Sequence, residues 1–458
     1  MNTLKGQKLF FIGIGGIGMS GLARYFRRRG ARVAGYDRTP SELTNQLQSE
    51  GVDVQFSETP ELIPADLRDA SPEDIVVVRT PAVPLDSAIF QYWQAKGARI
   101  LKRAELLGIV TRDQPTIAVA GTHGKTTVST MLAHLLITGK VKMNAFLGGV
   151  SVNYGTNVLL NDEAVVNVVE ADEYDRSFLK LHPQEAIITA MDPDHLDIYG
   201  TAEAMDAAYG EFASLVKGTL FVHEAIRGKF RDRSNVVSYS IHGKGTPRVE
   251  NLRIENGRHV FDLLTADVEL RDLELGMPGR HNVENAIAAS SLALKIGVDP
   301  GNLREGLRTF RGVSRRFEKR IDRPDIVFID DYAHHPREID AFLSSVRELY
   351  PGKRITGIFQ PHLFSRTRDH AAEFAQSLAT LDEVILLEIY PAREVPVPGI
   401  NSRWLLGQIP HDAKEVCSKE DLVEELRARH LQVVVTMGAG DIDRLVPAIE
   451  GMLNEKYQ

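Results

Sequence analysis

One short stretch constrains this chain more than any other: Gly121-Thr122-His123-Gly124-Lys125-Thr126-Thr127. It follows an apolar run, Thr116 to Ala120, that reads as a buried β-strand, and it precedes Val128 to Leu136, which reads as a helix. Strand, glycine turn, Lys-Thr and helix bring backbone N–H groups and the positive end of a helix dipole to one point, which makes an anion site. In a phosphate loop of this kind the lysine, Lys125, reaches the outer phosphates, and the first hydroxyl, Thr126, ligates Mg²⁺. Residues 121–127 are therefore predicted to bind a nucleotide. The full pattern has a glycine five residues before Gly124; this chain has Val119 there, so the loop is a shortened variant.

Such a loop needs a parallel sheet around it, and the rest of the chain supplies the pattern. Lys8 to Gly13 reads as a strand, Ile17 to Arg29 as a helix, Ala31 to Asp37 and Ile75 to Arg79 as strands: a doubly wound α/β unit. A second unit begins at Thr116 and continues with strands at Val165 to Glu170 and Ala186 to Ala190. Residues 219–275 carry more β signals, with turns at Asn256-Gly257 and Gly243 to Pro247. His281 to Ile296 reads as a helix, and the basic stretch Gly312 to Glu318 as a hinge. A third α/β unit follows, with strands at Ile326 to Asp330, Arg354 to Phe359, Glu383 to Leu387 and Val433 to Met437. Its helices are predicted over Pro336 to Leu349 and Asp369 to Ala379. A chain of 458 residues exceeds what one core holds, so two to four domains are expected.

Bulk properties remove other classes. A net charge of −8 argues against a nucleic-acid partner, which needs a basic face. The single cysteine, Cys417, precludes an intramolecular disulfide and a cysteine zinc cluster, and fits a reducing cytoplasm. Leu9 to Ile14 is too short for a signal peptide, and no apolar run nears the ~20 residues of a membrane span.

Further constellations sit at predicted strand ends. Gly13-Ile14-Gly15-Gly16-Ile17-Gly18 fits G-x-G-x-x-G, and Asp37 ends the next strand 19 residues after Gly18. This suits a dinucleotide or a nucleotide-sugar diphosphate, contacted by Gly15, Gly16, Ile17 and Gly18, with Asp37 on a ribose and Thr80 near by. The run alone would also suit a nicotinamide cofactor, but that leaves the Lys125 loop unexplained. Glu170-Ala171-Asp172-Glu173 stands where a second Mg²⁺ ligand belongs, and Asp192 to Asp197 places His195 among carboxylates, as a metal ligand would be. Asp330-Asp331-Tyr332-Ala333-His334-His335-Pro336 suits a metal site, a helix N-cap or a ribose contact equally. Arg366 and Arg368, in Gln360 to Asp369, suit a carboxylate, for which guanidinium groups are shaped. Arg315-Arg316, in the hinge, places a cation to approach a triphosphate when domains close.

Taken together, Gly121 to Thr127, Glu170 to Leu179, Asp194-His195, His281-Asn282 with Asn285, and Arg315-Arg316-Phe317 resemble the Mur ligases, ATP-dependent amide-bond ligases of peptidoglycan precursor synthesis. Phe11 to Gly21, Asp330 to Pro336, Phe359 to Asp369 and Tyr390-Pro391-Ala392-Arg393 resemble the branch that adds the first amino acid. The resemblance extends to Met437-Gly438-Ala439-Gly440. It implies a three-domain α/β architecture: a Rossmann-like UDP-sugar domain over 1–108, a central P-loop ATPase-like domain over 109–317, and a C-terminal Rossmann-like amino-acid domain over 318–458. It implies ATP and Mg²⁺ as cofactors, UDP-N-acetylmuramate and L-alanine as partners, and the bacterial cytoplasm as the place; monomer and homodimer both stay open.

The resemblance also implies roles. Lys125 holds the outer phosphates, Thr126 and Glu170 ligate Mg²⁺, and His195 helps hold a second metal. Asn285 faces the adenine, Arg316 the phosphates and Asp331 the ribose, with His334 and Arg366 near the alanine. The lactyl carboxylate would attack the γ-phosphate to give an acyl phosphate, which the alanine amine then attacks. His195 and His334 are both placed to serve as base. A closely related ligase that attaches a whole tripeptide uses the same chemistry. Two departures from the family pattern stand out. Several members carry a modified lysine after the Asp-His pair, whereas Met205 to Phe212 has none and Tyr209 takes its place. Some members also have arginine where this chain has Leu363.

Overall fold

The computed structural model describes residues 6–193, 196–243, 245, 247–392 and 394–457. The first five strands are β1 (Lys8–Ile12), β2 (Arg32–Tyr36), β3 (Asp53–Gln55), β4 (Ile75–Arg79) and β5 (Arg99–Lys102). They form one parallel sheet in the order β3-β2-β1-β4-β5. Helices cover both faces, so the strands read as continuous apolar runs whose alternate residues enter different cores. Leu9, Phe11, Val76 and Val78 join one core with Met19 and Leu22 of the helix Ile17–Arg28. Phe10, Ile12, Ile75 and Val77 join the other with Ile89 and Trp93 of the helix Ala88–Ala95. Phe10 lies 5.3 Å from Trp93 between ring centroids, and truncating it to alanine would cost about 3–5 kcal/mol. The strand order reverses between β1 and β4, the place where such sheets open a ligand crevice at their carboxyl ends.

The second sheet has seven strands: β6 (Thr116–Ala120), β7 (Met143–Ser151), β8 (Thr156–Leu159), β9 (Val166–Glu170), β10 (Glu185–Ile188), β11 (Leu220–His223) and β12 (Val236–Tyr239). Their order is β12-β11-β10-β6-β9-β7-β8, parallel except for the β7–β8 hairpin. β6 is central and wholly buried, flanked by β9 and β10, so three strand ends converge on the loop that follows it. A three-stranded sheet follows, made of β13 (Arg248–Glu255), β14 (Arg258–Leu264) and β15 (Glu269–Leu275). Asn256-Gly257 turns β13 into β14 with both residues at positive φ, as the dipeptide predicted.

The last sheet contains β16 (Glu318–Asp322), β17 (Val327–Asp331), β18 (Ile355–Phe359), β19 (Glu383–Leu386), β20 (Lys414–Val416) and β21 (Val433–Met437). Its order is β16-β17-β21-β18-β19-β20, with only β16–β17 antiparallel. The helix Pro336–Leu349 has the predicted bounds. The one predicted over Asp369 to Ala379 is Ala371–Leu378, and a further short helix, Phe364–Asp369, precedes it. Arg366 and Arg368 are therefore helical. Among the described residues no helix is long and apolar enough to cross a membrane. By packing, the chain divides into two compact units, 1–252 with 260–275 and 284–311, and 253–259 with 276–283 and 312–458.

Candidate active site

In the first unit the phosphate loop leaves β6 through Gly121 (φ 128°) and enters the helix Lys125–Thr138 through Gly124 (φ 80°). The helix starts three residues earlier than its apolar pattern indicated. No side chain caps its first turn, which leaves the backbone donors that an anion would use. A Cβ on Gly121 would collide with the Thr189 hydroxyl, and one on Gly124 would lie 2.8 Å from Asn285 Oδ1. Asn285, expected near adenine, thus packs on the last glycine of the loop. Thr122 N donates to the Ala190 carbonyl at 3.1 Å, and its hydroxyl accepts from Asp192 N at 3.0 Å. His123 Nε2 stands 3.5 Å from Asp192. Thr127 is buried in the helix's first turn.

Lys125 Nζ donates to the Gly121 carbonyl at 2.6 Å and to Glu173 at 2.8 Å. Burial works against the ammonium charge. Glu173 foremost, then Glu170 and Asp172, outweigh it and leave Lys125 harder to deprotonate than an exposed lysine. Glu173 and Lys125 are 48 apart in sequence, and the β6–β9 pairing brings them together. Glu170 ends β9 opposite Val119 and accepts from Gly148 N at 3.1 Å. Among the described residues no group of three or more His, Cys, Asp or Glu is arranged to hold a metal ion. Thr126 and Glu170 still fit Mg²⁺, which needs one or two protein ligands and takes the rest of its shell from phosphates and water. His195 and Asp194 lie outside the described residues. Tyr209 is fully buried, edge-on to Phe178 at 5.2 Å.

The first glycine loop is shaped as the sequence indicated. Gly13 takes φ 86° and its N–H donates to the Tyr36 carbonyl at 2.7 Å. Thr80, at the end of β4, donates its N–H to Ile12 and packs against Gly13. Asp37 accepts from Gly15 N at 2.7 Å and from Thr39 N at 3.2 Å, so it braces the loop. Gly16 caps the helix through its backbone alone, and Ile17 and Gly18 form the first turn. The next residue over Gly18 was not foreseen: a Cβ there would lie 2.9 Å from Arg103 Nη1.

In the second unit one of the open alternatives at Asp330 to Pro336, the helix N-cap, is decided. The helix N-cap is His335, whose ring accepts from Arg337 N at 3.4 Å, not the aspartate pair. Asp330 pairs with Arg315 at 3.2 Å and accepts from Thr436 at 2.7 Å. Asp331 accepts from the N–H groups of Phe317 at 2.6 Å and Ala333 at 2.7 Å. Burial raises its pKa to about 6, against Arg316 and those two N–H groups. Arg315 and Phe317 hold left-handed φ of 62° and 49°, each costing roughly 1–2 kcal/mol, so the predicted hinge is a strained turn. Arg316 lies over the Tyr332 ring at 5.0 Å and 4.0 Å from Glu338. Glu338 also holds His334 at 3.2 Å. His334 faces His362 at 5.9 Å between rings, and His362 stacks on Tyr390 at 5.7 Å. Burial, then His334 and Arg366, push the His362 pKa down to about 4, so it is neutral at pH 7. Arg366 is half-buried near it, whereas Arg368 is exposed and paired with Asp369 at 2.7 Å.

Three largely parallel sheets, each followed by a candidate strand-end loop, match one architecture. The chain matches the Mur ligase family, catalytic domain over 8–114, the Mur ligase middle domain over 119–293, and the Mur ligase glutamate ligase domain over 315–440. It belongs to the Mur ligase family. It is 47% identical to the UDP-N-acetylmuramate–L-alanine ligase of Phocaeicola vulgatus, covering all of both chains. It is 48% identical to that of Porphyromonas gingivalis, over 98% of this chain and 99% of the other. The crystal structure of the UDP-N-acetylmuramate–alanine ligase of Thermotoga maritima superposes with a TM-score of 0.83 at 26% identity, covering 98% and 99%.

Proposed function

We propose that this chain joins the amine of L-alanine to the lactyl carboxylate of UDP-N-acetylmuramate with consumption of ATP, in bacterial peptidoglycan precursor synthesis. The observation that carries the reading is the uncapped phosphate-loop helix with half-buried Lys125 bonded to the Gly121 carbonyl and the Glu170 carboxylate at the next strand end. The full-length likeness to alanine-adding ligases selects the acceptor. We assign UDP-sugar binding to 1–108, ATP binding to 109–317 and alanine binding to 318–458, and place the enzyme in the cytoplasm.

The lactyl carboxylate oxygen attacks the γ-phosphorus as its bond to the bridging oxygen breaks, releasing ADP and leaving an acyl phosphate. Lys125 balances charge on the transferring phosphoryl group, and the loop N–H groups of 121–127 orient it. Thr126 and Glu170 would hold Mg²⁺, which when bound spreads the developing negative charge over the phosphate oxygens, and His195 would help hold a second metal. Arg316 serves the phosphates, Asp331 the ribose and Asn285 the adenine. Arg366 takes the alanine carboxylate. The neutral amine attacks the acyl carbon, and inorganic phosphate leaves with the carbon–oxygen electron pair. His334, anchored by Glu338, takes the amine proton.

The test is phosphate release from Mg-ATP with UDP-N-acetylmuramate, with and without L-alanine, and with the L-alanyl tripeptide in its place. Release that needs both the UDP-sugar and alanine, with an amide product of the right mass, is expected. Release with the tripeptide alone would overturn the acceptor assignment.

A further inference from the structure

Within the first unit, the segment that follows β9 touches both nucleotide loops. Glu173 holds Lys125 of the phosphate loop at 2.8 Å. One residue earlier, Asp172 stands 3.3 Å from Arg103, whose guanidinium packs on Gly18 of the first glycine loop. Asp172 uses its other oxygen to accept from Tyr174 N at 3.0 Å, which fixes the path of the segment. Beyond it, Asp175 and Arg176 both take left-handed φ, 54° and 53°, without being glycines. Asp175 is pinned by Lys102 at 2.8 Å, and Arg176 lies over the Tyr199 ring, whose hydroxyl donates to the Glu173 carbonyl at 2.6 Å. Two consecutive residues in that conformation persist only where contacts over-determine them, which makes the segment a strut.

We infer that the Arg103–Asp172 ion pair couples occupancy of the first glycine loop to nucleotide affinity at the phosphate loop. The inference rests on the proposed ligands of the two loops. An anionic diphosphate on the helix N-terminus at Gly16 to Gly18 draws the Arg103 guanidinium, which is only partly exposed, away from Asp172. The released carboxylate then adds negative charge beside Glu170 and Lys125, where a cation accompanies the incoming nucleotide. Arg103 and Asp172 are positioning residues in this scheme, since neither needs to touch the reacting atoms, and the coupling is reciprocal by linkage.

Calorimetric titration of the full-length enzyme with a Mg-bound non-hydrolysable ATP analogue, with and without saturating UDP-N-acetylmuramate and without alanine, reads the coupling. The wild type is expected to bind the analogue about tenfold tighter when the UDP-sugar is present. In Arg103→Gln and in Asp172→Asn that factor should fall below roughly twofold, while the analogue alone binds within about threefold of wild type. Asp172→Asn keeps the oxygen that accepts from Tyr174 N, so it tests the link with the loop path preserved. A wild-type factor near one, or a wild-type factor retained in either variant, would overturn the inference and leave the ligand assignments standing. Failure of the wild type to bind either ligand would overturn both.

Discussion

Lys125 and Glu173 form an ion pair at 2.8 Å in which the carboxylate is only 1% exposed. Removing one partner of such a pair strands the other charge, a loss of about 3–5 kcal/mol, while removing both is far milder. Lys125→Met should therefore lower both stability and turnover, and Lys125→Met with Glu173→Gln should recover the unfolding midpoint but not the activity. The turnover loss is expected at about 10²–10³-fold or more, as for removal of one preorganised charge stabiliser. Steady-state phosphate release and urea unfolding on the wild type and the two variants check it. Activity recovered along with stability would remove Lys125 from the phosphate site.

Arg366 projects from a short helix that begins at Phe364, and no ion pair engages it among the described residues. A charge-assisted bond to a carboxylate contributes about 1.5–3 kcal/mol. Arg366→Ala should raise the KM for alanine by about 10- to 100-fold and that for ATP by far less. Equal changes in both constants would place Arg366 outside the alanine site. Arg368→Ala, which removes a side chain paired with its neighbour Asp369, should leave the alanine KM near wild type.

Glu170 accepts a backbone hydrogen bond from Gly148 at the end of the strand beside the phosphate loop. Loss of its charge in Glu170→Gln should raise the Mg²⁺ concentration for half-maximal activity by at least about tenfold, and excess Mg²⁺ should restore part of the rate. An unchanged Mg²⁺ dependence would remove Glu170 from the metal shell.

The phosphate loop was legible because its signals are local: a buried run, two glycines and Lys-Thr within a dozen residues fix strand, turn and helix together. The same holds for Gly13 to Gly18 and for the predicted strands that recur at Ile75–Arg79, Thr116–Ala120 and Val433–Met437. Partners across the fold were not legible. Arg103 meets Asp172 at a separation of 69 residues, and Glu173 meets Lys125 at 48, so neither pairing leaves a periodic trace. Asp330 to His335 stayed open in the sequence for another reason: carboxylates and histidines there suit a metal, a helix N-cap or a ribose equally, and only the fold shows Asp331 accepting from backbone N–H groups and His335 capping the helix. The short helix Phe364–Asp369 was not legible because its sequence, Phe-Ser-Arg-Thr-Arg-Asp, holds one apolar residue and so no helical period.

His134 shows how a residue that attracted no notice in the sequence can set the acid limit of the fold. It sits on the phosphate-loop helix with its ring bonded to the Tyr154 hydroxyl at 2.7 Å and the Thr309 hydroxyl at 3.0 Å. Burial pushes its pKa from 6.5 down to about 4. The folded state therefore holds the ring neutral while the unfolded chain takes up a proton below pH 6.5. Since the unfolded state binds more protons over that interval, stability is full above about pH 6.5 and declines as pH falls towards about 4. Each unit of that interval is worth up to about 1.4 kcal/mol. His134→Gln should be less stable than wild type at pH 7.5, having lost the fit to Tyr154 and Thr309, yet lose less on acidification to pH 5. The two urea midpoints should thus converge as pH falls. Parallel lines between pH 7.5 and 5 would show that His134 does not contribute the acid sensitivity assigned to it.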